Sequence, residues 1–199
     1  MIRVYFAVVL VFLLSGCSTT KPAVTEYKLS LKTLKHSTDS KGCIDKSLKV
    51  SQAFSSSSLM SLQMKYVLDG HKIYAFSQAQ WNNSPNQEVS SQVVKALRDS
   101  KLFKNVQNSK SRSRGDLILE INIEDFMQYY SKDLDKSDAS VEISFTLIDS
   151  ISSEVIATKT FSAKKETSSP DASGGVKGLD AALTNVLEQG LDFLNKVCK

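Results

Sequence analysis

The cysteine thiols are the side chains with the clearest chemistry in this sequence, and the first of them follows an apolar run. Cys17 comes directly after Leu14-Ser15-Gly16, residues 4–14 carry no charge, and Arg3 supplies a positive charge before them. A positive start, an apolar run and a small-residue cleavage site are the three parts of a secretory signal. The run has eleven residues, whereas a helix needs about 20 to span a bilayer. The sequence therefore predicts export, with cleavage before Cys17.

The residues Leu-Ser-Gly-Cys resemble a bacterial lipobox. The resemblance implies that the Cys17 sulfur receives a diacylglycerol and that its freed amine receives a third acyl chain, such as palmitate. One chain binds a membrane only marginally, at about 0.8 kcal/mol per buried methylene, whereas several chains anchor a protein stably. An ordinary removed signal and a short anchor helix are the plainer explanations. Ser18 stands where an Asp would signal inner-membrane retention, so the resemblance implies the periplasmic face of the outer membrane.

Cys43 and Cys198 are the two cysteines that remain. An even pair in an exported protein suggests a disulfide. Two free, buried thiols are the alternative. A bridge between them would fasten both ends of the domain that follows the anchor.

The other residues with chemical potential form no recognisable site. His36 and His71 lie in or beside predicted turns, away from cysteines or carboxylates at metal-ligand spacing. Gly174-Gly175 lacks the fingerprint of a phosphate loop, and Glu120 and Glu124 share a strand face that we expect to be solvated. The formal net charge of +4 is too small to suggest nucleic-acid binding. We predict a protein that is not an enzyme, with no metal site, no cofactor and no nucleic-acid partner.

Three regions are expected along the chain: a signal peptide at 1–16, a lipidated cysteine and short tether at 17–25, and one periplasmic domain at 26–199. The eight residues after Cys17 extend by at most about 28 Å. A compact domain of about 175 residues has a radius of gyration near 16 Å. Such a protein does not reach across a wide periplasm, so a task that bridges two membranes requires a partner.

Alternation of apolar and polar residues predicts the strands of that domain. The predicted strands are 26–31, 44–54, 60–68, 72–80, 117–123, 141–147 and 155–163. Asp69-Gly70 predicts a hairpin with a two-residue loop that pairs Leu68 with His71. That register puts Tyr74 and Phe76 on the face opposite Tyr66.

Helical spacing of apolar residues predicts helices at 84–100 and 176–196. Ser84, Pro85 and Gln87 have the types and spacing of a capping box with proline at the first helical position. Phe126 breaks the alternation of its strand, which predicts a bulge or strand end near Asp125. The expected fold is α+β, a mainly antiparallel sheet with two amphipathic helices packed on one face.

A segment rich in basic residues and a pair of tyrosines are candidates for a partner surface. Residues 101–114 contain five cations and no acid, and the simplest explanation of this run is a solvated loop. Aromatic and basic groups anchor interfaces and meet anionic partners. The candidate residues are Tyr129, Tyr130, Lys110, Arg112 and Arg114.

The order of several motifs resembles the ABC-type transport auxiliary lipoproteins, the small subunits that accompany MCE proteins and an ABC transporter. The motifs, in chain order, are the lipobox cysteine, Tyr27-x-Leu29, a strand that ends near Tyr66, Trp81 with Pro85, Ala96-Leu97-x-x-Ser100-x-Leu102-Phe103, Asp116-x-x-Leu119-x-Ile121, Leu147-x-Asp149 and Phe161-x-Ala163. The resemblance implies a subunit without catalytic residues that docks a transport path. That path moves phospholipid or another hydrophobic molecule and maintains the outer membrane.

Two other functions stay open from the sequence. One is a structural or assembly lipoprotein that binds another envelope protein and handles no lipid. The other is a lipid shuttle with its own cavity. Self-association of the subunit is also left open, and the acylated Cys17 makes the lipid bilayer a partner in all of these hypotheses.

Overall fold

The structure is a computed structural model that describes residues 22–31, 34–35 and 41–199. The predicted signal peptide, Cys17, most of the predicted tether and His36 lie outside these residues. The elements of the described part are β1 (Thr25–Tyr27), β2 (Ser47–Val50), β3 (Phe54–Ser55), a 3₁₀ helix (Ser57–Met60), β4 (Gln63–Leu68), β5 (Lys72–Trp81), α1 (Pro85–Ser100), β6 (Asn105–Gln107), β7 (Leu117–Tyr130), β8 (Ser137–Asp149), β9 (Val155–Glu166) and α2 (Ala172–Val197).

The long strand β7 is the centre of the sheet. Its apolar residues Leu117, Leu119, Ile121 and Ile123 are buried, as the alternation predicts. The register against β8 shifts between Ile123 and Asp125, so the bulge that Phe126 predicts is confirmed. The bulge returns Phe126 to the buried face, where it continues the apolar core.

The second half of the chain is a meander of three antiparallel strands followed by a helix. β7 pairs with β8 along its whole length, and β8 pairs with β9. Val141, Ile143, Phe145 and Leu147 of β8 all point to the buried face, which confirms the predicted alternation. Short turns between these strands give the antiparallel pairing.

The prediction of a mainly antiparallel sheet is wrong, because the sheet is mixed. On the edge of β7 that faces away from β8, the strands β2, β3 and β4 each pair with β7 in parallel. β6 extends β2 in parallel, and β1 extends β5 in parallel. Alternation reports which face of a strand is buried and carries no information about the direction of its neighbour. The parallel pairs join strands distant in sequence, so no hairpin signal reveals them.

The β4–β5 hairpin turns over three residues, so its predicted two-residue loop is wrong. Leu68 pairs with Lys72 and Tyr66 pairs with Tyr74. Asp69 and Gly70 have φ values of 56° and 75°, which is the left-handed conformation that Asp-Gly favours, and His71 is added to the loop. A shift of one residue exchanges the faces of a strand. Tyr74 therefore lies on the same face as Tyr66.

The helix α1 begins where the sequence predicts, but the capping box is not formed. The Ser84 hydroxyl donates to Asn86 Oδ1 at 2.7 Å, and the first turn is held by the Ser84 carbonyl, which accepts from the Gln87 and Glu88 amides at 3.0 Å. Pro85 occupies the first helical position. The helix ends at Ser100, and the next residue, Lys101, takes the left-handed conformation at φ 59°.

The helix α2 starts four residues before the predicted position, because Asp171 caps it. The Asp171 carboxylate accepts from the Gly174 amide at 2.7 Å, and this hydrogen bond lowers the pKa of Asp171. Gly190 lets the helix approach the sheet, since a Cβ there would lie 2.5 Å from the Phe145 ring. Both helices pack over the buried face of the sheet and contact each other.

None of the helices among the described residues has the length and apolar content needed to cross a membrane.

A disulfide and two carboxylates connect the N-terminal part of the domain to α2. Cys43 Sγ is bonded to Cys198 Sγ, across 155 residues of sequence. The Ser30 amide donates to Asp180 Oδ1 at 2.9 Å, and the Lys35 amide donates to Glu188 Oε1 at 2.8 Å. Burial raises the pKa of Asp180. Ser30, Lys35 and Cys43 are thereby held on the last helix.

We expect the double variant Cys43→Ser/Cys198→Ser to fold with a markedly lower melting temperature. A bridge that closes a loop of more than 100 residues contributes up to about 5 kcal/mol in the chain-entropy model, and real bridges often contribute less. For a domain of this size about 1 kcal/mol corresponds to roughly 2–4 °C. Thermal melting followed by circular dichroism measures the difference. Reductant should lower the melting temperature of the wild type to that of the variant and leave the variant unchanged. Free alkylation of both thiols in the denatured, unreduced wild type would contradict the bridge.

Candidate docking surfaces

The structure does not bring the five predicted partner-surface residues together. Arg114 precedes the first residue of β7, whereas Tyr129 and Tyr130 are the last two residues of that strand. Fourteen residues at about 3.3 Å per residue place the two groups roughly 40 Å apart. A single small interface therefore cannot contain both the tyrosines and Arg114.

Lys110 lines a cleft together with two cations of α1 that were not among the predicted partner-surface residues. This cationic cleft has a volume of about 320 Å³ and lies between α1, the β2–β3 connection and the β6–β7 loop. Its charged side chains are Lys95, Arg98 and Lys110. Arg112 and Arg114 are exposed and do not line it. The remaining lining residues are Val50, Ser51, Gln52, Gln87, Ser90, Ser91, Val94, Asn108 and Ser109.

Hydrogen bonds hold the walls of the cationic cleft in place. The Ser90 hydroxyl accepts from the Ala53 amide at 2.8 Å and donates to the Asn86 carbonyl at 2.6 Å, which ties the β2–β3 connection to α1. Arg98 Nε donates to the Val106 carbonyl at 3.0 Å and fixes the base of its guanidinium. The cleft is therefore built from regular elements rather than from a free loop.

The loop that carries Lys110 is also ordered by local bonds. Asn108 Oδ1 accepts from the Lys110 amide at 3.1 Å, an Asx turn of the kind that Asn favours. The Lys49 ammonium donates to the Ser111 carbonyl at 3.1 Å. These contacts hold the backbone of the loop where Lys110 lines the cleft.

The electrostatic character of the cleft is positive. It has three cations, hydroxyl and amide groups and no carboxylate among its lining residues. A guanidinium offers paired N–H donors that match a carboxylate or phosphate, and an ammonium acts as a point charge. The arrangement fits an anionic group of a partner. Lys95 and Arg98 are three residues apart on one helix, so the sequence alone could have placed these two cations on the same helix face. Only the fold brings Lys110 to the same cleft.

The two tyrosines at the far end of β7 lie on opposite faces of the sheet. The Tyr129 hydroxyl donates to Asp125 Oδ1 at 3.0 Å, and burial together with the negative charge of Asp125 raises the pKa of Tyr129 to about 12. The Tyr130 ring packs on the Tyr66 ring, with 5.0 Å between centroids, and burial raises the pKa of Tyr130 to about 12.

Tyr66 is the centre of an aromatic cluster that the sequence analysis did not predict. Its ring lies 5.7 Å from that of Tyr74 and 4.7 Å from that of Phe76, in addition to its contact with Tyr130. The three-residue turn of the hairpin brings these rings to one face. We call Tyr66, Tyr74, Phe76 and Tyr130 the aromatic cluster.

The two glutamates predicted to share a strand face both lie on the open side of the sheet. Glu124 accepts hydrogen bonds from Asn122 and Ser144 on the open, polar face of the sheet, and Glu120 is exposed on the same face. Within the described ranges, no group of three or more His, Cys, Asp or Glu side chains could hold a metal ion.

A comparison with protein families identifies the class of this chain. The profile described as the ABC-type transport auxiliary lipoprotein component matches residues 27–189. The chain belongs to this family, which confirms the resemblance found from its motifs. Among curated proteins, none matches the chain.

Solved structures show the same fold at low sequence identity. Protein XCC0632 from Xanthomonas campestris is 20% identical with a TM-score of 0.78, and the match covers 87% of this chain and 96% of that one. An uncharacterised protein is 14% identical with a TM-score of 0.65, over 85% of this chain and 97% of its own. PelC from Paraburkholderia phytofirmans, a dodecamer, is 12% identical with a TM-score of 0.51, over 78% and 92% of the two chains.

Proposed function

We propose that this protein is a lipid-anchored docking subunit of an ABC transport system that contains an MCE-domain protein and moves phospholipid or another hydrophobic molecule. The family match over residues 27–189 is the observation that carries the proposal, because it gives the chain an auxiliary role in ABC-type transport. The anchor is the acylated Cys17, on the periplasmic face of the outer membrane. The protein has no catalytic activity of its own in this proposal.

The cationic cleft is the docking site in this proposal. A tether of eight residues after Cys17 reaches at most about 28 Å, so a partner has to span the rest of the periplasm. Lys95, Arg98 and Lys110 offer that partner a preformed positive surface. Complementary charge steers association and fixes register, so the partner segment carries Asp, Glu or a phosphate-like group.

Site-specific photo-crosslinking tests the docking site. A photoreactive residue at Ser91, an exposed residue that lines the cleft, should capture an MCE-domain or ABC transporter subunit that mass spectrometry identifies. The same residue at Thr160, exposed on β9, is the matched control and should capture none. Equal capture at both positions contradicts the cleft as the docking site.

Charge removal tests whether docking is needed for function. In a deletion strain, Lys95→Gln/Lys110→Gln should fail to restore the envelope barrier at normal protein level. Arg112→Gln/Arg114→Gln removes the same number of charges outside the cleft and should restore it. An intact barrier and normal lipid distribution after deletion, with no transporter subunit crosslinked, would favour a structural or assembly lipoprotein.

Two further measurements test the lipid shuttle and the self-association of the subunit. Analysis of lipid extracted from the purified protein tests the shuttle, which requires bound lipid in the isolated subunit. PelC is a dodecamer in its crystals, and mass photometry of the purified subunit tests whether this chain also self-associates.

A further inference from the structure

Two turns lie side by side at one end of the sheet. Leu68 pairs with Tyr130 in the parallel β4–β7 contact, and each of these residues is the last of its strand. The β4–β5 turn and the β7–β8 turn therefore emerge side by side. We call residues 69–74 and 130–136 the twin-turn end.

The twin-turn end exposes large apolar and aromatic side chains. Ile73 is 58% exposed, Tyr74 is 46% exposed and Leu134 is 49% exposed. Leu134 has φ 60°, a conformation that leucine rarely adopts. The exposed edge of the aromatic cluster lies at the same end, since Tyr130 and Tyr74 both contact Tyr66. Tyrosine favours the boundary between water and lipid, because its ring is apolar and its hydroxyl polar.

The direction of β1 turns the N-terminal end of the described chain toward the twin-turn end. β1 is parallel to β5, with Thr25 opposite Ala79, and β5 starts at Lys72 beside the β4–β5 turn. The chain before Thr25 therefore arrives from the twin-turn end. Residues 22–24 are the described residues between Cys17 and β1.

The length of the tether matches the height of the hairpin. Seven residues separate Lys72 from Ala79, which at about 3.4 Å per residue is roughly 24 Å. The eight residues from Cys17 to Thr25 extend by at most about 28 Å. With the domain upright, the twin-turn end stands no more than a few ångströms from the surface in which Cys17 is anchored.

The charges at this end balance. Lys72, Lys132 and Lys136 are matched by Asp69, Asp133 and Asp135, and Lys72 pairs with Asp69 at 3.4 Å. Attraction to anionic lipid is therefore not the main force. Contact with a bilayer would depend on the exposed apolar and aromatic groups and would resist salt.

We propose that the twin-turn end rests in the headgroup region of the bilayer that holds Cys17, with Ile73, Tyr74 and Leu134 at the boundary with the acyl chains. This inference depends on the lipid anchor and not on which molecule is transported. It makes the domain stand upright on its membrane. The hydrogen bond between Ser51 and Leu119 places the cationic cleft beside Leu119 of β7. The distance along β7 from Tyr130 to Leu119 is roughly 35 Å at about 3.3 Å for each residue, and the cleft is then held at that height above the bilayer.

Quenching by brominated lipid tests the contact in the acylated mature protein. The protein is reconstituted in vesicles of phosphatidylethanolamine and phosphatidylglycerol that contain phosphatidylcholine brominated on its acyl chains. The single native tryptophan, Trp81, is buried and serves as the common background. Tyr74→Trp should add fluorescence that the brominated lipid quenches, equally at low and high salt. Ile151→Trp is the matched control, because Ile151 is 90% exposed in the β8–β9 turn at the other end of the sheet, and its added fluorescence should not be quenched.

Flotation of the protein with the vesicles is measured first, so that a failure of the lipid anchor can be distinguished from a failure of the contact at the twin-turn end. A protein that does not float contradicts the anchor together with this inference. A protein that floats with equal quenching at both positions, or with none at Tyr74→Trp, contradicts the inference alone. Crosslinking of the aromatic cluster to an identified protein in cells, without quenching in vesicles, would show that the cluster is a protein-docking surface.

Discussion

Cys17→Ser is expected to abolish acylation and leave the uncleaved precursor, because the oxygen of serine does not replace the sulfur that the lipobox resemblance implies as the acyl acceptor. Without its acyl chains the domain keeps no stable hold on the membrane, since even one chain gives only marginal binding. Incorporation of labelled palmitate and the mass of the protein measure the effect. We expect no label in the variant and a mass that includes residues 1–16.

The matched control for this prediction is the double variant Cys43→Ser/Cys198→Ser. It removes two cysteines and leaves Cys17, so its acylation should equal that of the wild type even though the domain is less stable. Labelling of Cys17→Ser at the wild-type level would contradict the lipid anchor and, with it, the contact proposed for the twin-turn end.

Leu97→Asp is expected to prevent the domain from folding. Leu97 lies on the buried stripe of α1 and is 1% exposed. The change removes a core side chain, which costs about 2–5 kcal/mol, and adds a carboxylate with no partner in an apolar site. The sum approaches the whole stability of a typical domain, about 5–15 kcal/mol. Thermal melting should show no cooperative transition.

Ser91→Asp places the same carboxylate on an exposed position of the same helix. It tests whether burial, rather than helix propensity, is responsible for the loss, and we expect its melting temperature to stay close to that of the wild type. Unchanged melting of Leu97→Asp would contradict the packing of α1 on the sheet.

The two proposals place partners at separate parts of one molecule. The twin-turn end contacts the membrane, and the cationic cleft lies near the start of β7, away from it. A transport partner would therefore meet the domain above the bilayer. The polar face of the sheet, which includes Glu120 and Glu124, belongs to neither contact.

Periodicity was sufficient to predict the longer elements, because the burial of one face selects apolar residues at regular spacing. It was wrong for the short ones: the predicted strand 44–54 is two strands, β2 and β3, and the predicted strand 60–68 begins only at Gln63, after a 3₁₀ helix. Leu117 to Ile123 alternate, and all four apolar residues on the inner face of this stretch are buried. The stripe on α2 recurs at helical spacing and is also buried. The bulge near Asp125 followed from a single change of parity at Phe126. Each of these features depends on residues close together in sequence.

Residue types at turns and helix caps predicted the local hydrogen bonds less well. Asp69-Gly70 did mark a hairpin, yet the loop contains three residues, and its register depends on how both strands pack. Ser84 and Gln87 fit a capping box, yet the Ser84 hydroxyl bonds to Asn86 instead. Several hydrogen-bonding solutions of similar energy exist at such positions, and the surrounding fold selects one.

The sequence by itself predicted an export signal with a lipobox, and it was sufficient for the longer strands, both helices of the α+β domain and the family. These features depend on residue order, apolar periodicity and motif spacing. Only the tertiary structure decided that β2, β3 and β4 run parallel to β7, that Lys110 meets Lys95 and Arg98, and that the tyrosines stand far from the basic loop. The physical reason is that these contacts join residues distant in the chain. Their pairing depends on how the layers pack around one core, and no local pattern records it.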